Sequence, residues 1–285
     1  MSQGISIVII YHDRLKNLTN TLKGLAGGTI TPNEVVIIEM DTSKTEINYF
    51  GLFCIHHLLH TTDSTMLPLA EARNFGARIA NYKNLVFLDV DCIPSVTFLK
   101  NVISLTPFKN ALYMGKPKYL TKDKLEYCNN LEENSLDHPK RPCINQITLS
   151  KDFGLFWSLC FFISKRTFNK IQGFDERFVG YGGEDTDFAL KVKFADIDFY
   201  LTPFVIYHQQ HPIYSPPLNH FKAIVKNANL FMDKWGKWPM TKHLEKFKEE
   251  QLINWDAERS DPIKTIKIPS KTKINSCLQL DQPFG

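Results

Sequence analysis

The sequence predicts an α/β fold: a mostly parallel central sheet flanked by helices, followed by a helical C-terminal extension. Three observations predict it. Strand-length apolar runs alternate with helical stretches through the first hundred residues, the pattern of a sheet covered by crossover helices. The runs are almost wholly apolar, as strands buried on both faces are. At 285 residues and 43% hydrophobic, the chain is long enough to bury a sizeable core.

Each element has its own reason. Ile5–Tyr11 is a continuous β-rich run. Leu15, Leu18, Leu22 and Leu25 recur at helical spacing and form one face, which Gly27 and Gly28 end. Glu34–Met40 is a second strand, Leu67–Asn81 a helix and Leu85–Val90 the next strand. From Phe108 to Ser150 lysines, Asn129-Asn130, Glu132-Glu133, Pro139 and Pro142 break the periodicity. That segment reads as a long excursion over the active face. Order returns with the apolar stretch Phe153–Ser164, a helix from Lys165, a loop at Gly180–Gly183, a helix over Asp185–Phe194 and a strand over Phe199–His208. Phe221, Ile224, Val225, Ala228, Met232 and Trp235 line one face of an amphipathic helix that Gly236 and Pro239 break. Leu244, Phe247, Leu252 and Trp255 suggest a second helix. Beyond Asp261 the chain is polar and Lys-rich and reads as loosely packed.

Net charge is +4, from 34 basic and 30 acidic residues. That excess is no argument for nucleic acid; it fits an anionic small substrate or an anionic membrane surface. No apolar run reaches the roughly 18 residues of a transmembrane helix. The start, MSQGISIVIIYHD, lacks a basic n-region and reads as a strand, not a secretion signal. Six cysteines (Cys54, Cys92, Cys128, Cys143, Cys160 and Cys277) form no CxxC pair, so reduced cytosolic thiols are expected rather than metal knuckles. Asn17-Leu18-Thr19 is then an accidental glycosylation triplet.

Four stretches carry chemistry. In VFLDVDCIP (residues 86–94), Asp89 and Asp91 close an apolar strand. A period of two points both carboxylates the same way. Two hard oxygen ligands suit Mg²⁺ or Mn²⁺, with substrate phosphates filling other positions; capping aspartates on a solvated loop are the bland alternative. In GFDERFVGYGGEDTDFALKV, Gly180, Gly182 and Gly183 make a close-approach loop. Glu184, Asp185 and Asp187 then fall on a first helical turn, where the dipole favours negative charge. Capping explains one carboxylate well; another, beside a glycine-walled pocket, is a candidate general base. In VIYHQQHP, His208 and His211 close an apolar run, as metal ligands or as satisfied structural histidines. In AEARNFGARIA, Arg73 lies on a helix ahead of the aspartates. Its planar fork suits a diphosphate, with a surface ion pair as the alternative.

Taken in order, SIVIIYHDR, EVVIIEMD, EARNFGARIA, VFLDVDCIP, GFDERFVGYGGEDTDFALK and IYHQQH resemble a GT-A-fold, family-2-type glycosyltransferase. The C-terminal half resembles the galactosyltransferase catalytic module shared by β-1,4-galactosyltransferases and polypeptide N-acetylgalactosaminyltransferases. The resemblance covers about residues 4–212. It implies a Rossmann-like sheet in a catalytic domain over 1–212, with a nucleotide-sugar-binding half of about 1–107 and an acceptor half of about 108–212. Residues 213–285 form the helical extension and polar tail. It also implies a UDP-sugar donor, a Mn²⁺ (or Mg²⁺) ion on its diphosphate, and a glycan or glycoconjugate acceptor.

By the same resemblance Asp91 contacts the metal, Asp89 lies near the ribose and the ion, and His208 completes the metal shell. Val205 stands where the pattern has a methionine ligand, so either His211 or water fills that position or the coordination number is lower. Tyr11 lies beside the base, Glu39 stands where an Asp reads the uracil, and Arg73 supports the donor. Asp185 is the implied base with Glu184 beside it. Tyr181 replaces a tryptophan as sugar platform; Phe156 and Trp157 are further platforms, or core.

The expected reaction is a single displacement that inverts the anomeric carbon. The alternatives are a retaining N-acetylgalactosaminyltransferase-like enzyme, a nucleotidyltransferase and a catalytically silent sugar-nucleotide-binding protein. YHDRLKN after the first strand lacks the glycines of a triphosphate loop, which weighs against nucleotidyl transfer. The expected location is cytoplasmic. The 221–235 helix, with Lys222, Lys226, Lys234, Phe231, Met232 and Trp235, either docks on the catalytic domain or lies at the inner face of a membrane.

Overall fold

The structure, a computed structural model, describes residues 4–106, 108–121, 130–280 and 282. Strand β1 (Ile5–Tyr11) is buried along its whole length. Its side chains alternate between two cores: Val8 and Ile10 enter one, Ile7, Ile9 and Tyr11 the other. Helix α1 (Leu15–Ala26) closes the second core with Leu18, Leu22 and Leu25. Strands β2 (Glu34–Asp41) and β3 (Cys54–His60) add in parallel on one side of β1. Helix α2 (Leu69–Ile79) closes the first core with Ala70, Ala72 and Ala77, and β4 (Asn84–Leu88) pairs in parallel on the other side of β1.

The chain continues through β5 (Cys92–Pro94), α3 (Phe98–Ile103), β6 (Ala111–Leu120), β7 (Ser135–Asp137), β8 (Thr148–Ser150), β9 (Cys160–Ser164), α4 (Lys165–Lys170), α5 (Glu184–Phe194) and β10 (Asp198–His208). The strand order is β3-β2-β1-β4-β9-β6-β10-β5, with β7 on β6 and β8 on β10. The first four strands are parallel; β9 runs antiparallel to both β4 and β6, so the sheet is mixed beyond β4.

Two expectations change here, and one strand went unread. The 108–150 excursion contains β6, ALYMGKPKYL, which lies inside the sheet between β9 and β10. Lys116 and Lys118 are its only half-buried positions; they obscured the apolar pattern. Asp89 and Asp91 do not sit on a strand. They span a turn between β4 and β5 closed by Cys92 N donating to Asp89 O (3.0 Å), so period-two alternation does not govern them. Strand β3 was hidden by its histidines, CIHHLLH. Cys128 and Asn129 lie outside the described residues; the other five cysteines are free thiols.

The C-terminal segment comprises β11 (Ile213–Tyr214), α6 (Phe221–Trp235), α7 (Thr241–Glu249), β12 (Ile253–Asn254), β13 (Lys264–Thr265), α8 (Lys271–Ser276) and β14 (Leu278–Gln279). Helix α7 stops at Glu249, and Leu252 and Trp255 reach the same core from extended chain. The tail is not loose: β12 pairs with β13, β11 pairs with β14, and Ile263 and Cys277 are buried. Helix α6 spends its apolar surface within the protein. Phe221, Ile224 and Ala228 pack with Leu244 and Phe247, while Phe231 meets Phe178 and Leu190. The apolar face that either reading of this helix required is thus buried against α5 and α7. No helix among the described residues is long and apolar enough to cross a membrane.

Candidate active site

The site lies at the carboxyl ends of β1 and β4, where open α/β sheets place ligands. Strand β5 pairs antiparallel with β10, setting His208 opposite Cys92 and so beside Asp91. His208 Nε2 is 3.6 Å from Asp91 Oδ1, and His211 Nε2 is 3.6 Å from Asp91 Oδ2. Neither contact is a hydrogen bond at that distance. One carboxylate and two imidazoles thus converge, with donor atoms within 4.8 Å of one another, without bonding to each other. The buried His208 Nδ1 has no hydrogen-bond partner among the described residues. Burial works to raise Asp91, but His208, Arg14 and His211 together hold it below the usual carboxylate range. Burial lowers His208, against the pull of Asp91. An ionised carboxylate and neutral imidazoles are the forms that bind a metal. This mixed oxygen and nitrogen set fits Mn²⁺ better than Mg²⁺, which prefers oxygen alone.

Asp89 is not part of that cluster. Its Oδ1 lies 3.3 Å from Arg73 Nη2, while Arg73 Nη1 lies 3.4 Å from Glu184 Oε1. The buried guanidinium, stacked over Phe174 at 5.2 Å, links the β4 turn to the start of α5. Burial pushes Glu184 up to about 7, Asp185 adding and Arg73 opposing. Burial likewise pushes Asp89 up to about 6, against Arg73. Asp185 is also raised by burial, opposed by the Thr186 backbone N–H and by Arg73. Its Oδ1 accepts from Thr186 N at 2.7 Å, which fixes the carboxylate at the first turn of α5.

The loop ahead of α5 explains that placement. Gly180, Gly182 and Gly183 all have positive φ, at 76°, 97° and 91°. A Cβ on Gly182 would come 2.5 Å from Met240 Sδ, so the C-terminal segment packs directly on the loop. Buried Asn227 of α6 donates through Nδ2 to the carbonyls of Gly182 (2.8 Å), Val179 (3.2 Å) and Tyr181 (3.4 Å). Asp187, also buried, accepts from Trp235 Nε1 (2.8 Å) and pairs with Lys234 (2.6 Å). Exposed Tyr181 stacks on His220 at 4.7 Å.

The remaining expected residues are placed as follows. Tyr11 ends β1 and is buried beside Thr45. Glu39 is fully buried and already engaged: Thr45 N (3.0 Å), Thr45 Oγ1 (2.5 Å) and His56 Nε2 (2.8 Å) bond to its carboxylate. Val205 is half-buried and packs with Ile93 and Leu120. Phe156 is core, packed against Phe161, Phe188 and Phe199. Trp157 has the Arg141 guanidinium over its ring at 4.3 Å.

Sequence reasoning missed several partners. Arg14 Nη1 donates to Asp91 Oδ2 at 2.5 Å; a basic side chain just past the first strand was the available signal. Gln209 is buried and ties α1 to the cluster through Asn20 and Asn17. Asn227 and His56 had no local signal, because each acts through a contact that only folding makes.

A mixed sheet with carboxylates and imidazoles at its strand ends, a glycine loop opening a helix beside them, and helices on both faces defines the GT-A glycosyltransferase fold. The chain belongs to the family described as "Glycosyltransferase like family 2", which matches residues 6–227. It is 26% identical to chondroitin synthase of Escherichia coli, with 73% of this chain and 35% of that protein covered. It is 24% identical to validoxylamine A glucosyltransferase of Streptomyces hygroscopicus subsp. limoneus, over 81% of this chain and 56% of that one. The chain thus spans about a third to just over half of these curated relatives. Among solved structures, S. aureus TarS 1–349 superposes with a TM-score of 0.52 at 14% identity, covering 79% of this chain and 64% of that one. GalNAc-T7, crystallised with UDP, GalNAc and Mn²⁺, superposes with a TM-score of 0.52 at 16% identity, covering 87% and 54%.

Proposed function

We propose that this chain transfers a hexose or N-acetylhexosamine from a UDP-sugar to a hydroxyl of a glycan or glycoconjugate, with inversion. The observation that carries this is the double reach of Arg73, which joins Asp89 on the metal side to Glu184 on the glycine-loop side. One side suits a nucleoside diphosphate and the other an acceptor alcohol. The galactosyltransferase-like subtype is part of the same proposal and rests on the GYGGEDTD and DVD motifs.

Asp91, His208 and His211 are the residues to hold a divalent ion. Such an ion supplies positive charge to a departing diphosphate. Arg73 offers a buried guanidinium next to the same group. Asp185 takes the proton of the acceptor hydroxyl; the freed oxygen attacks the anomeric carbon as its bond to the diphosphate breaks, and the electron pair leaves with UDP. Burial raises Asp185 and so makes it a stronger base than a solvated aspartate. Tyr11 and the Glu39–His56–Thr45 cluster stand at the ends of β1 and β2, where the base would stack.

The test is a panel of UDP- and GDP-sugars, each with Mn²⁺ or EDTA, read by thermal stabilisation, hydrolysis and the anomeric configuration of the product. Stabilisation by a UDP-sugar only with Mn²⁺, and an inverted product, are expected. A retained configuration overturns the base role of Asp185; release of pyrophosphate overturns sugar transfer altogether.

A further inference from the structure

A second cleft opens beside the site, on the β6–β10 side of the sheet. Its cavity volume is about 70 Å³, and it is lined by Lys116, Asp137, His138, Arg141, Cys143 and Thr202 among others. A series of rings leads to it from the metal-ligand cluster. Tyr119 lies 5.0 Å from His208, His138 lies 5.5 Å from Tyr119, and Trp157 lies 5.0 Å from His138, all between centroids. Arg141 then caps Trp157. The loop that carries Trp157 enters the active site itself, since Asp89 N donates to Leu159 O at 2.9 Å.

Arg141 is the unusual member. One Nη1 hydrogen goes to Leu155 O at 2.7 Å and one Nη2 hydrogen to Met114 Sδ at 3.0 Å. The rest of its fork finds no protein acceptor, and no carboxylate pairs with it, among the described residues. Burial lowers its pKa, opposed by the Tyr119 phenol and by no carboxylate among the described residues. A half-buried guanidinium without an anion is costly, and a planar fork over an aromatic face is the arrangement that receives a carboxylate or phosphate edge-on. The second cation of the cleft, Lys116, is held 3.1 Å from Asp137, whose side chain is 56% exposed. Such an exposed pair is weak and exchangeable.

We propose that this cleft is an acceptor subsite for an oxyanion-bearing sugar, its carboxylate or phosphate bound by Arg141 and Lys116. The inference rests on the transferase reading above for the word acceptor; the anion site itself does not. His138, buried in the wall of the cleft, and buried Tyr119 connect this anchor to the metal-ligand cluster. The acceptor is thereby gripped at a point away from the reacting hydroxyl. That grip selects anionic glycans over neutral ones of the same shape.

The experiment titrates the full chain by calorimetry with two matched pairs: methyl β-glucuronide against methyl β-glucoside, and glucose 6-phosphate against glucose. UDP with Mn²⁺ is titrated in parallel, so that a failed donor site is read separately from a failed anion site. In the wild type one anionic probe is expected to bind about tenfold or more tighter than its neutral counterpart, and the pair that shows it identifies the carboxylate or the phosphate as the anchor. Arg141→Gln is expected to erase that preference and Arg141→Lys to retain part of it. Lys116→Gln gives a second, independent weakening. Equal binding within both pairs overturns the proposal, and so does a preference that survives Arg141→Gln. UDP binding without anion preference keeps the transferase and removes the subsite; anion preference without UDP binding removes its role as an acceptor site.

Discussion

Arg14 and Asp91, 77 residues apart, form an ion pair across the mouth of the active site, with Nη1 2.5 Å from Oδ2. The guanidinium is 41% exposed and the carboxylate 6%. A positive charge thus stands beside a residue proposed to bind another positive charge. Arg14→Ala is expected to tighten Mn²⁺ binding to the donor-free protein by about threefold to tenfold, the scale of one partly solvated unit charge. Titration of Mn²⁺ by electron paramagnetic resonance measures it; weaker binding in the variant contradicts the repulsion argument.

Asp91 itself is the carboxylate common to both histidine contacts. Asp91→Ala is expected to lower transfer by roughly 10²–10³-fold and to abolish thermal stabilisation by UDP with Mn²⁺. Asp185→Asn separates the roles. It should keep that stabilisation while losing transfer, and normal transfer by this variant removes Asp185 from the mechanism.

Arg73 compensates two carboxylates at once, Glu184 buried and Asp89 partly so. Arg73→Ala leaves Asp89 and Glu184 without their shared cation and should cost about 3–5 kcal/mol of stability. Urea unfolding near neutral pH reads this. A loss below 1 kcal/mol means that solvent already screens the triad.

Glu184 gives a pH signature. Its folded-state pKa, about 7, lies above that of an unfolded glutamate because burial and Asp185 oppose ionisation, with Arg73 pulling the other way. A raised pKa means that the folded state holds a proton the unfolded state has released. Its stabilising contribution is full below about pH 4.5 and is lost as pH rises through about 7. Glu184→Gln should therefore gain stability relative to the wild type between pH 5 and pH 8, by about 1–3 kcal/mol. Melting temperatures across that range test it; a difference independent of pH refutes the assignment.

Asn227 tests the coupling of the C-terminal segment to the glycine loop. Asn227→Ala removes three carbonyl contacts from a fully buried amide and should cost about 1–3 kcal/mol. Because those carbonyls belong to the loop before Glu184 and Asp185, acceptor KM should rise while UDP affinity stays near the wild-type value. An unchanged acceptor KM would mean that the loop holds its shape without α6.

Sequence by itself determined the parallel half of the sheet. Ile5–Tyr11, Glu34–Met40 and the leucine face of α1 are legible because a strand buried on both faces needs an apolar residue at every position, and a packed helix needs one at every turn. It also marked Asp91, His208, His211, Arg73, Glu184 and Asp185 as chemical residues, since charge closing an apolar run is rare. Tertiary structure alone decided how they divide. The β4–β5 turn sends Asp89 to Arg73 and Asp91 to the histidines, and the β5–β10 pairing sets His208 beside Asp91. Strand β6 stayed hidden behind Lys116 and Lys118, and the tail read as loose because Ile263 and Cys277 are lone apolar residues in polar surroundings. Periodicity records how a segment meets its nearest layer; a contact between residues 77 or 189 positions apart, as Arg14 with Asp91 or Asn20 with Gln209, has no local pattern and exists only once the sheet has closed.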